Sequence, residues 1–500
     1  MADSTRNSNR RRRRKSRRLY NLALTLVGAI CVALIIFSVC GIIDVLTERN
    51  NPSLGGNNNP TDGPTTGQTD PTSDPTSDPT DVPTDPTETD PVPTTPSYDV
   101  AELEMLMKEA DFIAAGYDYL TAIEMLTTWE HYNDVPELAD KVAEYQYLDS
   151  QLVVYSKPQT VTHIFFHSLI VDTDRAFDGD YDTSTYHTYF ATVDEFNAIM
   201  EEMYNRGYVL ITPYDLAYET EDGFVYGEIR LPEGKTPFIL SQDDLNYYSY
   251  MISSGDGKGK TPYWADSAND GFASKIVIGE DGYPTCEYVD ADGNVLYGDY
   301  DLVPCLETFI QAHPDFSYHG ARAVLGVTGF EGVFGYRTKP SYEETVGSEI
   351  YNAEVKAAKE VAQCLRDHGW ILASHSYGHP SYGNITAERV ETDSTKWLNT
   401  VASIIGDCDI ILYPHGSDIE GGKKYTFDNE KFATLYEDGF RYFFNVDGNK
   451  YWNQLGDNYF RGGRRNIDGY RMYRNPEMLE DLFDVKDVWD NARPTYEPVL

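Results

Sequence analysis

The sequence predicts an α/β fold in which parallel strands form a sheet or a barrel, and two observations lead to that prediction. From about residue 153 to the C-terminus, short apolar runs of strand character alternate with longer segments of helical periodicity. Two of the apolar runs end directly in carboxylate or imidazole side chains. Because parallel α/β folds place their sites at the carboxyl ends of the strands, a functional site is expected where these two runs end.

The individual elements follow from local patterns. Strands are predicted at 162–167, 209–212, 237–241, 323–328, 371–374, 410–413 and 442–446. Helices are predicted between them, for example at 353–368 and at 192–206, where Thr192 and Glu195 form a capping-box pattern. Residues 276–300 contain two Asp-Gly turns among apolar residues and are predicted to form an inserted β-hairpin.

The N-terminus predicts a membrane anchor. Residues 1–18 form a basic tail, and residues 19–46 form a segment whose uncharged apolar run is long enough to cross a bilayer. A cleaved signal peptide is the alternative, but its apolar region is typically about 7 to 15 residues long. Because the cationic tail precedes the span, the N-terminus is expected in the cytoplasm and the rest of the chain outside the cell. The prediction is a single-pass protein of the cell membrane.

A spacer and an acidic surface are expected beyond the membrane. Residues 47–97 are rich in Pro, Thr and Asp and cannot bury a core, so they are predicted to form a disordered, extended linker with a reach on the order of 150 Å. The whole chain carries 81 acidic and 40 basic residues, a net charge of −41. Such a charge repels polyanions, so nucleic acid is excluded as the main ligand.

Residues 98–152 are predicted to form a helical hairpin that resembles part of a tetratricopeptide repeat. About three such repeats are needed to bury a continuous core, so the hairpin is interpreted as a neck packed against the next domain. A module that binds a protein partner is the alternative interpretation.

The remaining residues, 153–500, form the candidate catalytic domain. The four cysteines outside the predicted span allow three disulfide pairings: Cys286, Cys305, Cys364 and Cys408.

Two motifs hold the candidate chemistry. One predicted strand ends in Asp243 and Asp244, and another runs directly into His375 with His379 four residues later. Two neutral imidazoles and one carboxylate can hold a divalent metal and leave open positions for water and a substrate carbonyl. The second carboxylate can then act as a general base. A solvated turn for the aspartates, and polar core or surface positions for the histidines, are the alternatives.

These motifs resemble those of the polysaccharide deacetylase family, also called carbohydrate esterase family 4 or the NodB-homology domain. The family motif T-F-D-D-G is similar to Ser241-Gln-Asp-Asp244-Leu, and H-[ST]-x-x-H is similar to His375-Ser-Tyr-Gly-His379. The resemblance covers residues 160 to about 490 and implies a distorted (β/α) barrel. It also implies Asp243 as general base and one divalent metal on Asp244, His375 and His379, with zinc expected and cobalt, nickel or manganese as alternatives.

The remaining motifs depart from the family pattern. Leu412 stands where the R-x-P-Y motif has the arginine that holds the catalytic aspartate, so one of Arg461, Arg464 and Arg465 is the predicted replacement. No histidine follows His415, although the last family motif supplies the general acid, so His415 is the predicted substitute acid. The predicted substrate contacts are His167, Tyr413, Pro414, Gly416, Arg464 and Arg465.

The resemblance implies a metal-dependent hydrolase that removes N- or O-acetyl groups from an acetylated polysaccharide of the cell envelope or the environment. Two other hypotheses stay open at this stage. One is a glycan-binding pseudoenzyme, which Leu412 and the missing downstream histidine favour. The other is a surface scaffold that acts through residues 98–152.

Overall fold

The computed structural model describes residues 98–180, 182–254 and 263–494. The predicted basic tail, membrane span and linker, at 1–18, 19–46 and 47–97, lie outside these residues. None of the helices in the described ranges is both long enough and apolar enough to cross a membrane.

The strands, in chain order, are β1 (Val153–Val154), β2 (Thr162–Phe166), β3 (Tyr208–Leu210), β4 (Ala217–Thr220), β5 (Gly223–Tyr226), β6 (Arg230–Leu231), β7 (Thr236–Gln242), β8 (Lys275–Ile278), β9 (Pro284–Val289), β10 (Val295–Gly298), β11 (Val324–Val327), β12 (Ile371–Ser374), β13 (Ile410–Leu412), β14 (Tyr442–Val446), β15 (Asn453–Leu455) and β16 (Phe460–Asn466).

The α-helices, in chain order, are α1 (Val100–Ala115), α2 (Tyr119–Thr128), α3 (Pro136–Gln151), α4 (Thr173–Ala176), α5 (Thr183–Tyr189), α6 (Val193–Asn205), α7 (Pro213–Leu216), α8 (Ser249–Ile252), α9 (Leu302–Ala312), α10 (Glu343–Val346), α11 (Ser348–Asp367), α12 (Ala387–Thr400), α13 (Ala402–Ile405), α14 (Glu430–Glu437), α15 (Gly469–Arg474) and α16 (Val485–Val488).

Seven of the strands close into a parallel barrel. Its order is β11, β12, β13, β14, β16, β2 and β7, and β7 pairs back to β11. β3 pairs with the first half of β7, and β11 pairs with its last residues, so β7 changes neighbours along its length. The predicted (β/α) barrel is confirmed at this level. The capping box of Thr192 and Glu195 is also present at the start of α6.

All seven predicted strands are present, but the sequence pattern misses β16, a strand of the barrel. Its sequence has three arginines, two glycines and an asparagine beside a single Phe460, and this composition predicts no strand. In the structure every residue from Phe460 to Arg465 is buried. Each arginine meets a carboxylate of a distant segment, so the strand depends on tertiary partners that local sequence does not reveal.

Helices α1, α2 and α3 close the amino-terminal end of the barrel. Their buried Leu126 and Leu138 belong to the same apolar cluster as Val324, Ile410 and Phe460, each of which begins a barrel strand. The two helices of the predicted hairpin are present as α1 and α2, and a third helix, α3, follows them after a short 3₁₀ turn and begins at Pro136. This packing makes the helical segment part of the barrel core.

The burial of α2 gives a matched pair of leucines for testing this packing. Leu126 is fully buried, whereas Leu120 on the same helix is 66% exposed. Leu126→Ala is expected to lower the free energy of unfolding by about 2 to 5 kcal/mol, because it leaves a cavity in the shared core. Leu120→Ala is expected to change it by less than about 0.5 kcal/mol. Urea unfolding of the full-length protein measures both, and equal losses would contradict the shared core.

Two further predictions differ from the structure. The region predicted as a hairpin at 276–300 forms a three-stranded antiparallel sheet of β8, β9 and β10, because Lys275–Ile278 adds a strand on the free edge of β9. Within the described ranges the four cysteines are all free thiols, so none of the three disulfide pairings is present. Three of these thiols, at Cys286, Cys305 and Cys364, are buried.

Candidate metal centre and active site

The two predicted motifs meet at the carboxyl end of the barrel. Asp243 and Asp244 directly follow β7, and His375 directly follows β12. β11 pairs with both of these strands and carries Gly326 between them. A side chain there would lie 3.4 Å from Asp243 Oδ1 and 2.9 Å from the Leu412 side chain on β13. Glycine at this position therefore keeps the floor of the site open.

Asp244, His375 and His379 converge on one point. Asp244 Oδ2 lies 3.7 Å from His375 Nε2 and 3.6 Å from His379 Nε2, and the two imidazole nitrogens are 3.1 Å apart. The histidines lie in a loop rather than on a helix, as Gly378 and the following proline predict. Three donor atoms facing each other at this spacing match the ligand set of a divalent cation.

Neighbouring groups prepare two of these ligands for a metal. His375 Nδ1 donates a hydrogen bond to the Leu412 carbonyl oxygen at 2.8 Å, which places the ring proton on Nδ1 and leaves Nε2 free to coordinate. Tyr248 donates its hydroxyl to Asp244 Oδ1 at 2.6 Å, so Oδ2 is the oxygen that faces the histidines. The donor set therefore fits a divalent ion that takes nitrogen and oxygen ligands.

The electrostatics favour the same protonation states. Burial alone would raise the pKa of Asp244, but the two histidines and the Tyr248 hydroxyl outweigh it, and the pKa lies below its usual value. Burial lowers the pKa of His379 against the attraction of Asp244. An ionised carboxylate and a neutral imidazole are the forms that bind a cation.

Asp243 is held by an arginine from β16. Arg464 donates from Nη1 to Oδ1 at 2.6 Å and from Nη2 to Oδ2 at 2.9 Å, and both side chains are buried. Burial would raise the pKa of Asp243, but Arg464 and then His375 hold it well below its usual value. Of the three arginines considered for this role, Arg464 is therefore the one that contacts Asp243.

The other two arginines considered for this role face elsewhere. Arg461 pairs with Asp418 at 2.7 Å, and Arg465 pairs with Asp481 at 3.0 Å. Successive residues of a strand point to opposite faces, so Arg464 enters the barrel while its two odd-numbered neighbours point outwards.

A pocket of about 340 Å³ lies beside the three converging ligands. Its lining includes the predicted residues Asp243, His375, His379, His167, His415 and Gly416. It also includes residues that the sequence did not single out: Phe165, Tyr189, Val446, Asn466, Asp468, Tyr470 and Arg471. Four of these seven, from Asn466 to Arg471, belong to β16 or follow it, so they were missed together with that strand.

Four of the predicted substrate contacts lie away from this pocket. Tyr413, Pro414, Arg464 and Arg465 are buried and do not line it. Tyr413 points outwards and hydrogen-bonds to Tyr425, because the preceding Leu412 takes the inward position of β13. The strand alternation reverses the faces that the motif alone suggested.

Comparisons with known proteins do not assign a family. No family model matches the chain, and no curated protein matches it. The chain is similar to a solved structure described as Streptococcus pyogenes deacetylase PplD in complex with acetate, at 12% identity and a TM-score of 0.31, covering 66% of this chain and 99% of that one. At that TM-score nothing about the activity of this chain follows from the likeness.

Two further histidines reach the pocket in different ways. His167 follows β2 and donates from Nδ1 to the Tyr189 carbonyl oxygen at 3.1 Å, which leaves Nε2 unengaged by this bond. His167 lies close enough to Asp243 and Asp244 to contribute to their lowered pKa values, whereas burial raises the pKa of Asp468.

His415 is exposed and packs on the ring of His379, with ring centroids 4.4 Å apart. Its Nε2 donates to the His379 carbonyl oxygen at 3.3 Å. His415 therefore uses Nε2 on the backbone of the metal-binding loop, so only its Nδ1 could give a proton to a leaving group.

Proposed function

We propose that this chain is a metal-dependent carbohydrate deacetylase of the polysaccharide deacetylase type. The observation that carries the proposal is the convergence of Asp244, His375 and His379 beside an ionised Asp243 at the open end of a parallel barrel. A divalent metal bound by these three ligands would supply a Lewis acid that activates water and polarises the acetyl carbonyl.

Asp243 is the general base in this proposal. Its Oδ2 lies 4.0 Å from His375 Nε2, next to the ligand set, and its low pKa keeps it ionised to accept the proton of the attacking water. Arg464 donates to both oxygens of Asp243 and so fixes the orientation of the carboxylate that would accept the proton. The pseudoenzyme hypothesis drew on the missing arginine at Leu412, and Arg464 removes that part of its support.

His167 is the general acid in this proposal, in place of His415. A protonated His167 holds one proton on Nδ1 at the Tyr189 carbonyl oxygen and presents the other, on Nε2, to the pocket. The leaving amine or alkoxide would take the Nε2 proton as the carbon–nitrogen or carbon–oxygen bond breaks.

The substrate in this proposal is a neutral or amino-bearing glycan. The net charge of −41 and the carboxylates of the pocket disfavour a polyanion. Tyr189 and Tyr470 line the pocket and are 54% and 44% exposed, so their rings offer apolar faces to a sugar. The predicted anchor at 19–46 and linker at 47–97 would place this activity outside the cell membrane.

Acetate release tests the proposed function directly. The purified protein is incubated with acetylated oligosaccharides carrying amide- or ester-linked acetyl groups, after chelation and after addition of zinc, cobalt, nickel or manganese. The expected result is metal-dependent acetate release above that of Asp243→Asn. Sugar binding without acetate release under any metal would instead support the pseudoenzyme hypothesis.

The role of His167 predicts a dependence on the leaving group. His167→Gln is expected to lose about a hundredfold in kcat/KM on an acetylated sugar, because a poor leaving group needs the proton. On 4-nitrophenyl acetate the same variant is expected to change little, since 4-nitrophenolate leaves without protonation.

His415→Gln is the control, because it alters a neighbouring pocket histidine whose Nε2 is engaged by the backbone rather than directed at the pocket. Its effect is expected to be independent of the leaving group. Equal losses on both substrates for His167→Gln would remove the general-acid assignment.

A further inference from the structure

We propose that Asp393 on α12 is the positioning residue that shapes the loop from His375 to His379 before any cation binds. The inference rests on the proposed metal centre and adds to it a residue outside the ligand set. The sequence gives no sign that Asp393 contacts the histidine motif, because Asp393 lies fourteen residues after His379.

The loop needs external support because of its backbone. Ser376 has φ 65° and His379 has φ 54°, a left-handed conformation that is costly for residues other than glycine. Among the residues that the structure describes, the buried hydroxyl of Ser376 has no hydrogen-bond partner, so the serine inside the loop does not stabilise this conformation.

Asp393 supplies the support at the centre of the loop. Its Oδ1 accepts the N–H of Tyr377 at 2.8 Å, and its Oδ2 accepts the N–H of Gly378 at 2.9 Å. A side chain at Gly378 would come within 3.2 Å of Oδ2, so glycine allows the carboxylate to approach. Both oxygens are thus used on the two residues in the middle of the motif.

The same carboxylate also holds the segment that follows His379, through Tyr382. The hydroxyl of Tyr382, which is 1% exposed, donates to Asp393 Oδ1 at 2.9 Å. His379 therefore lies between two segments that a single carboxylate holds. Within the described ranges Asp393 forms no ion pair with a lysine or arginine, so its charge is balanced by these three donors.

Helix α12 gives Asp393 a fixed position. Trp397, one turn further along the same helix, is fully buried and donates from Nε1 to the Val327 carbonyl oxygen at 2.9 Å. Val327 ends β11, the strand next to β12. Lys396 covers the ring of Tyr377 at 3.9 Å. The helix, the strand end and the loop are thus joined by direct contacts around the second histidine ligand.

Metal affinity tests the proposal. Asp393→Asn keeps the size of the side chain but offers one acceptor oxygen and turns an NH₂ group towards a donor. We expect the Kd for zinc of the full-length protein to rise about 10- to 100-fold, as for other outer-shell substitutions, in a competition assay with a chromophoric chelator. The visible absorption of the cobalt-loaded protein is expected to change as well, because the position of His379 relaxes.

Asp290→Asn is the matched control. Asp290 is similarly half-buried and accepts the N–H groups of Asp292 and Asn294 at 2.9 and 2.8 Å, in a turn of the inserted sheet. Its zinc Kd and cobalt spectrum are expected to match the wild type. If Asp393→Asn does not fold, Tyr382→Phe removes one of the three donors and is expected to raise the zinc Kd severalfold.

The outcomes separate this inference from the proposed function. Wild-type zinc affinity and an unchanged cobalt spectrum in Asp393→Asn, or in Tyr382→Phe where that variant is used, would overturn the positioning role. A wild-type protein that binds zinc without releasing acetate would overturn the proposed function and leave the role of Asp393 supported by the affinity shift. A wild-type protein that binds neither zinc nor cobalt would overturn both.

Discussion

Asp244→Asn is expected to lose tight zinc binding and to reduce acetate release by about three orders of magnitude or more. The carboxylate supplies the charged member of the ligand set, and its Oδ2 is the oxygen that faces both histidines. The amide has the same shape but no charge, and metal catalysis of this kind contributes several kcal/mol to transition-state stabilisation. Zinc affinity by competition and acetate release on the same preparation measure the two effects.

The adjacent aspartate provides the control for this prediction. Asp243→Asn removes the proposed base and leaves Asp244, His375 and His379 in place, so it is expected to bind zinc with nearly wild-type affinity while acetate release falls. A pair of variants that lose zinc to the same extent would show that both carboxylates are ligands. Zinc binding retained in Asp244→Asn would contradict the proposed centre itself.

The ligand set was predictable because each part of it is local. Asp244 follows one apolar strand, and the two histidines follow another at a spacing that a loop can fold onto one ion. Parallel strands bring their carboxyl ends to one edge, so strand identity alone places these residues together. The structure adds the intervening strand β11 and the open position at Gly326.

The groups that support the ligands were not predictable in the same way. Arg464 lies on β16, whose polar sequence does not predict a strand. The sequence offered three arginines with no means to choose between them. The choice depends on which face of β16 points into the barrel, and that follows from the register with β14 and β2. The contact of Asp393 with the histidine loop depends on how helix α12 packs against the sheet, and that packing leaves no pattern in the sequence.

The outward position of Tyr413 was hard to predict for a related reason. The motif around Pro414 and His415 suggested that its members all face the substrate, but Tyr413 follows directly after a strand in which alternate residues point to opposite faces. A match between a sequence and a motif carries no information about which of the matched residues point into the barrel. The register of β13 decides it, and Leu412 takes the inward position.

Arg464→Met is expected to lower the free energy of unfolding by about 3 to 5 kcal/mol, because it leaves Asp243 as an uncompensated buried charge. The variant also loses the contact of the guanidinium with the ring of Phe165, at 4.4 Å. Thermal unfolding of the full-length protein, together with urea titration, measures the loss. Lys356→Met, which breaks an exposed ion pair with Glu360, is the control and is expected to change stability by less than about 1 kcal/mol.

A second substitution separates the buried charge from the lost side-chain volume. If the main cost of Arg464→Met is the unpaired carboxylate, then Asp243→Asn in the same chain removes that charge and recovers part of the stability, giving a coupling energy of roughly 0.5 to 3 kcal/mol. Acetate release stays low in the double variant, because its base is gone. A double variant that is destabilised by the sum of the two single losses would mean that Arg464 contributes through packing alone. In that case Arg464 on β16 would not replace the arginine that is missing at Leu412, and the charge of Asp243 would have no dedicated partner.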